Sequence, residues 1–399
     1  MTFTPLASLT PAVLGGDPAF PEGLPITQVT VPDREALLRR LDTIIDSGRL
    51  TNGATVRALE DATAERLGVP HVVGVASCTA GLMLTLRALE LSGPVVLPSF
   101  TFAATAHAVA WAGGTPVFAD MTPTSLTLDP DDAARALPGA DAVIGTHVYG
   151  TPCDVEALEA LAADHGVPLI FDAAHALGSL RRGRPIGGFG SAEVFSLSPT
   201  KVVVAGEGGL VATSDAALAD AVRIGRDYGN PGDYDCRFVG LNARMSELHA
   251  AVGLASLGAL DARLSHRNDL AARFVAAIAG LPGLRVPEVA AGDRSTYKDL
   301  TVVLDPADFG LDAATLQVAL RADGIDTRRY FYPPVHQQQA YAQLLPGRAL
   351  PVTEAISPQV LTLPLWSHME AAVIDRVADV VTALHTHAHR VRDTLAGHV

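Results

Sequence analysis

Lys201 follows Phe195-Ser196-Leu197-Ser198-Pro199-Thr200 and precedes three apolar residues, Val202, Val203 and Val204. An amine flanked this way is poorly solvated. Desolvation lowers its pKa and makes it nucleophilic toward a carbonyl. The other reading is a lysine that snorkels from a strand end. Upstream, Phe171-Asp172-Ala173-Ala174-His175 ends the apolar run 167–171 and places a carboxylate at the mouth of a sheet. Such an aspartate either caps the next helix or acts as counter-ion to a protonated heterocycle nitrogen. A third segment, Ser77-Cys78-Thr79-Ala80-Gly81, lies between a strand and a helix. Small residues there let backbone N–H groups and hydroxyls approach a phosphate.

Each segment alone is ambiguous, but their order is not. A phosphate turn, an aspartate after a strand, and a lysine 29 positions after that aspartate describe a site for pyridoxal phosphate. The turn would hold the phosphate. Asp172 would keep the ring nitrogen protonated, so that the ring acts as an electron sink. Lys201 would form the Schiff base and later shuttle the proton.

The elements that must position these residues alternate. The patterns predict helices over 35–47, with Asp33 as cap, and over 55–67, 81–89, 101–111 and 155–165. Strands are expected at 72–76, 95–97, 116–118, 142–145, 167–171 and 210–213. Such alternation argues a mainly parallel sheet covered by helices on both faces, with ligands beyond the carboxyl ends of the strands. A long helical pattern over 245–281 leads to a smaller C-terminal α+β domain, with a strand at 300–304 and helices at 313–323 and 370–395. The expected division is a surface segment at 1–25, a large cofactor domain at 26–265 and a small domain at 266–399.

Several ordered blocks resemble the DegT/DnrJ/EryC1/StrS aminotransferases, a fold-type-I group: Leu50 to Gly53, Ser77 to Leu82, Pro98 to Thr105, Pro116 to Asp120, the two segments around Asp172 and Lys201, Gly240 to Glu247, and Tyr332 to His336. The resemblance spans about residues 47–366. It implies that Phe102 stacks on the pyridine ring, with Ala174 on its other face and His175 near the phenolic oxygen. Thr79, Ala80 and Ser196 would bind the phosphate. Asn242, and Arg244 with it, would reach the cofactor of a neighbouring subunit in a homodimer. Tyr332 and His336 would line the sugar-nucleotide mouth. Cys78 departs from the family pattern, which has Gly there; a Cβ hinders positive φ. The implied reaction moves the amino group of L-glutamate to the keto carbon of a nucleotide-linked deoxysugar, and the nearest likeness is to enzymes acting at C4 of dTDP-4-keto-6-deoxyglucose.

Bulk properties bound the alternatives. A formal charge of −14 opposes general binding to nucleic acid or anionic membrane. Three cysteines, Cys78, Cys153 and Cys236, form neither a disulfide framework nor a zinc-ligand pattern. Residues 1–15 lack a basic n-region and an apolar h-region, so the chain reads as cytoplasmic. The uncharged stretch 91–119 is punctuated by prolines and glycines and reads as strand, helix and strand rather than a membrane span. His385, His387 and His389 read as a solvated helix face rather than a metal site. Trp111 and Trp366 read as packing residues, and the pairs Arg39–Arg40 and Arg181–Arg182 as solvated surface. The competing functions are amination at C3, of a GDP-sugar or of a cyclitol. A pyridoxamine-dependent 3-dehydratase, in which His replaces the Schiff-base lysine, is opposed by Lys201. A non-catalytic regulatory protein on the same scaffold is opposed by the intact Asp172 and Lys201.

Overall fold

The computed structural model describes residues 9–30, 33–343 and 348–396. Strands β1 (His71–Val75), β2 (Pro94–Pro98), β3 (Thr115–Ala119), β4 (Ala142–Thr146) and β5 (Leu169–Asp172) enter a central sheet. The chain then makes a small hairpin, β6 (Leu180–Arg181) and β7 (Arg184–Pro185), and returns to the sheet as β8 (Ala192–Ser196) and β9 (Gly209–Thr213). The order is β1-β9-β8-β5-β4-β2-β3. Strand β9 is antiparallel to β1 and β8, and every other neighbouring pair is parallel.

The strands are apolar on both faces because both faces are covered. Val72, Val96, Val143, Phe171 and Phe195 enter one core, and their neighbours Val73, Val95, Ile144, Ile170 and Val194 enter the other. This alternation is the period of two expected of a strand buried on both sides. Parallel packing brings the carboxyl ends of β2, β4, β5 and β8 to one edge. Asp172 sits in register with Thr146 on β4 and Val194 on β8.

Two blocks of the family resemblance prove to be one staple. The Glu247 carboxylate accepts hydrogen bonds from the amides of Gly53 (2.7 Å), Thr55 (2.8 Å) and Val56 (3.0 Å). It thereby caps helix Ala54–Leu67, whose N-cap Gly53 offers no side chain. A Cβ at residue 53 would stand 2.7 Å from that carboxylate. Burial raises the Glu247 pKa, but the three amides outweigh it and hold the carboxyl below its ordinary value. A depressed carboxylate stabilises the fold above its unfolded pKa and loses that contribution as pH falls through the folded value. Glu247→Ala should therefore cost about 3 kcal/mol near neutral pH. Chemical denaturation should show the gap between variant and wild type narrowing below about pH 4.5.

A second core, with Leu270, Phe274, Leu300, Val302, Leu316 and Val377, belongs to the C-terminal part. Its antiparallel sheet runs β10 (Leu284–Arg285), β11 (Leu300–Leu304), β12 (Val360–Leu363). The N-terminal stretch docks here: the amides of Ala12 and Ala19 donate to the Asp323 carboxylate. Residues 1–8 of the expected surface segment lie outside the described residues. A small cluster joins the two parts, with Phe100, Val148 and Tyr149 against Val303, Phe331 and Val360.

Four expectations need correction. The helical pattern 245–281 is two helices, Glu247–Gly258 and Leu260–Ile278, separated at Ala259. The C-terminal pattern breaks at His387 into Ala371–Thr386 and Ala388–Ala396, because Ala388 and Val391 turn into the second core. His385 and His389 are thus on different helices; His385 bonds the Phe309 carbonyl and His389 pairs with Asp393. Trp111 is 77% exposed, whereas Trp366 is buried. Arg181 is buried and holds Asp154, Glu156 and Asp293. The stretch 91–119 folds as β2, helix Ala103–Trp111 and β3. Among the described residues no helix is long and apolar enough to cross a membrane.

Candidate active site

Asp172 is the last residue of β5 and is 4% exposed. Its Oδ2 accepts from Thr105 Oγ1 at 2.7 Å, and its Oδ1 from the Ala174 amide at 3.1 Å. The Cys78 thiol lies 3.9 Å from Oδ1 and 3.5 Å from the Val194 carbonyl. Burial, then the charge of Asp172, pushes that thiol well above its ordinary pKa, so it stays a neutral donor. Cys78 is the first residue of helix Cys78–Ala88 and is not among the residues with positive φ. The Cβ that departs from the family pattern therefore meets no strained backbone.

Lys201 stands in the loop between β8 and β9. The loop is closed at its base, where the Leu197 amide donates to the Gly208 carbonyl (2.9 Å) and the Ala205 amide to the Leu197 carbonyl (2.7 Å). Burial lowers the Lys201 amine from 10.5 to about 8; the ammonium of Lys298 adds to this, while Asp299, Cys78 and Asp172 oppose it. A substantial neutral fraction near pH 7–8 is what a nucleophilic amine and proton carrier needs.

Lys201 and Asp172 face one cleft. A cavity of about 210 Å³ is walled by Phe102, His175, Ser198, Thr200, Lys201, Lys298, Asp299, Tyr330 and Phe331. A small recess reaches Thr101, Thr146, His147, Asp172 and Ala174, and shares Phe102, His175 and Phe331 with that cavity. The ring of Phe102 is 62% exposed. The His175 Nδ1 accepts from the Tyr149 amide at 3.2 Å, and burial, with Lys201 and Lys298, keeps this imidazole well below its ordinary pKa. His175 therefore stands as a neutral imidazole.

The Ser77 turn crosses the start of β9 closely. A Cβ at Gly209 would lie 2.5 Å from the Ser77 carbonyl carbon and 2.6 Å from the Cys78 nitrogen. Ser77 caps the helix by accepting from the Ala80 amide at 3.1 Å. Ser196 ends β8 opposite Gly209, and its Oγ meets the Ser198 amide at 3.4 Å. This cradle, the carboxylate of Asp172, the uncovered Phe102 ring and the amine of Lys201 fit pyridoxal phosphate. When bound, that group supplies an electron sink for the charge developing at a substrate carbon. Asp172 would then hold a proton on the ring nitrogen, and Lys201 would carry a proton to and from that carbon.

Other residues singled out from the sequence lie elsewhere. Asn242 Oδ1 accepts from Arg244 Nη2 at 3.1 Å, Arg244 also pairs with Asp227, and neither lines the cavity of its own chain. Tyr332 carries the Arg329 guanidinium over its ring at 4.1 Å. His336 Nδ1 bonds Ser99 Oγ at 2.6 Å, and its Nε2 lies 3.5 Å from Glu354. From this segment Tyr330 and Phe331 line the cavity instead. Lys298 and Asp299 also escaped the sequence reading. They precede β11, whereas ligand-binding residues of a parallel sheet are expected after its strands.

The signature of the DegT/DnrJ/EryC1/StrS aminotransferase family matches residues 32–382. The UDP-N-acetyl-3-dehydro-alpha-D-glucosamine 3-aminotransferase of Acidithiobacillus ferrooxidans is 36% identical over 88% of this chain and 94% of its own. The dTDP-3-amino-3,4,6-trideoxy-alpha-D-glucose transaminase of Streptomyces venezuelae is 37% identical over 85% and 89%. The crystal structure of DesI with its TDP-sugar product superposes with a TM-score of 0.90 at 40% identity, covering 97% of this chain and 98% of that one. The chain belongs to the DegT/DnrJ/EryC1/StrS aminotransferase family, and it is a pyridoxal-phosphate-dependent aminotransferase.

Proposed function

We propose that the protein transfers the amino group of L-glutamate to the keto carbon of a nucleotide-linked keto-deoxysugar, at C4 of dTDP-4-keto-6-deoxyglucose. The observation that carries the nucleotide-sugar reading is the likeness to DesI, whose crystal structure was determined in the presence of its TDP-sugar product. That likeness covers 97% of this chain and 98% of DesI. The choice of C4 rests on the likeness of residues 100–120 and 172–178 to enzymes acting there. Amination at C3 is the second reading, favoured by the names of those two relatives. We further propose a homodimer in which Asn242 and Arg244 serve the neighbouring cofactor. A groove of about 280 Å³ beside them, lined by Met83, Leu84, Trp111, Val239 and Leu241, presents apolar surface suited to such an interface.

The test is incubation with glutamate and a panel of 3-keto and 4-keto sugar nucleotides, with the new amine located by NMR. The expected product carries nitrogen at C4 of the 6-deoxyhexose. Nitrogen at C3, with the 4-keto sugar untouched, overturns the C4 assignment in favour of the second reading.

A further inference from the structure

Lys298 and Asp299 form a buried pair in the wall opposite Lys201. The ammonium lies 2.7 Å from Asp299 Oδ1, with both side chains under a tenth exposed. It also sits 5.5 Å from the centroid of the Tyr330 ring. Asp299 Oδ2 is buried and finds no hydrogen-bond donor among the described residues. Leaving a carboxylate oxygen in that state is costly.

The backbone holds the pair in place. Arg267, itself 4% exposed, donates from Nη2 to the Lys298 carbonyl at 2.9 Å and from Nε to the Thr296 carbonyl at 3.2 Å. The Lys298 amide donates to the Tyr149 carbonyl at 2.9 Å. Three anchoring bonds on a short segment before β11 keep its two side chains from swinging away. Among the described residues that line the cavity, only Lys201, Lys298 and Asp299 are acidic or basic apart from His175. Lys201 is engaged with the cofactor.

An ammonium beside a carboxylate offers donors and an acceptor at adjacent points. A hydroxyl group needs both, since it donates one hydrogen and accepts through its lone pairs. The pair is also neutral overall, so it suits an uncharged ring better than a second anion. We propose that Lys298 and Asp299 read the hydroxyl next to the ketone of the acceptor sugar, with Asp299 accepting its hydrogen and Lys298 donating to its oxygen. This rests on the sugar-acceptor reading above and adds the residues that select among acceptors.

The experiment compares the keto-sugar nucleotide with its analogue lacking the hydroxyl beside the ketone, using cofactor-loaded wild type, Asp299→Asn and Lys298→Met. Wild type should prefer the hydroxylated substrate about 1,000-fold in kcat/KM, the behaviour of a site built around a polar group. In Asp299→Asn the preference should shrink to within about tenfold. The glutamate half-reaction, read from the cofactor absorbance, should slow far less than the sugar half-reaction. Calorimetry should show the same loss of preference in product binding. Lys298→Met gives a second reading if the asparagine variant does not fold. Unchanged preference in the folded variants, or equal slowing of both half-reactions, overturns the assignment. Wild type that aminates no keto sugar at all defeats the sugar-acceptor reading itself, and this inference with it.

Discussion

Replacing Lys201 with alanine should abolish amino transfer, lowering turnover by about 10,000-fold or more. In this assignment the single side chain would supply both the covalent attachment of the cofactor and the proton transfer, and residues that act at the centre of a reaction carry losses of this size. Borohydride reduction followed by mass spectrometry checks the attachment directly. Wild type should gain the mass of the cofactor on the peptide containing residue 201, and the variant should gain none. Retention of both the adduct and turnover in the variant sinks the assignment. The depressed amine adds a sign that can be measured. Its neutral form attacks, so the rate at which cofactor-free protein captures pyridoxal phosphate should rise with pH through about 8 and then level. An unperturbed lysine would keep rising toward 10.5.

The second large effect is expected at Asp172. Asp172→Asn can keep its oxygen on the Ala174 amide and turn its NH2 toward the Thr105 hydroxyl, which can accept while donating to the Phe102 carbonyl. It removes the negative charge that would hold a proton on the ring nitrogen. Turnover should fall by about 100- to 10,000-fold through the weakened electron sink, while the fold persists. Near-normal turnover would mean that the carboxylate only ties β5 to Thr105 and to the loop after it.

Much of this was legible in the chain. The apolar runs gave every strand of the central sheet except β8, which carried a site motif instead of an obvious strand pattern. Helix 155–165 and strand 300–304 match to the residue. Both are marked at their ends by punctuating residues, Asp154 and Gly166 for the helix and Asp299 and Asp305 for the strand. The break at His387 was not legible, because the local pattern continues and only the docking of Ala388 and Val391 bends it. Glu247 looked like part of a cofactor-site block, yet its carboxylate serves a helix that begins 193 positions earlier, at Ala54. Lys298, Asp299, Tyr330 and Phe331 were hidden for a similar reason. Their chemistry depends on which wall faces Lys201, a distance of about a hundred positions that no local spacing encodes.

The seam between the two cores has a mechanical consequence. The grip on the cofactor would come from the sheet edge, which carries Asp172, the Ser77 turn and the Lys201 loop closed at its base by hydrogen bonds. The opposing wall, with Lys298, Asp299, Tyr330 and Phe331, comes from the C-terminal part. That wall is tied back to the sheet side, where the Lys298 amide donates to the Tyr149 carbonyl at 2.9 Å and the Tyr149 hydroxyl donates to the Tyr330 carbonyl. The amino donor and the keto acceptor would therefore be held in turn between the same two braced walls, with Asp172 and Lys201 both on one of them.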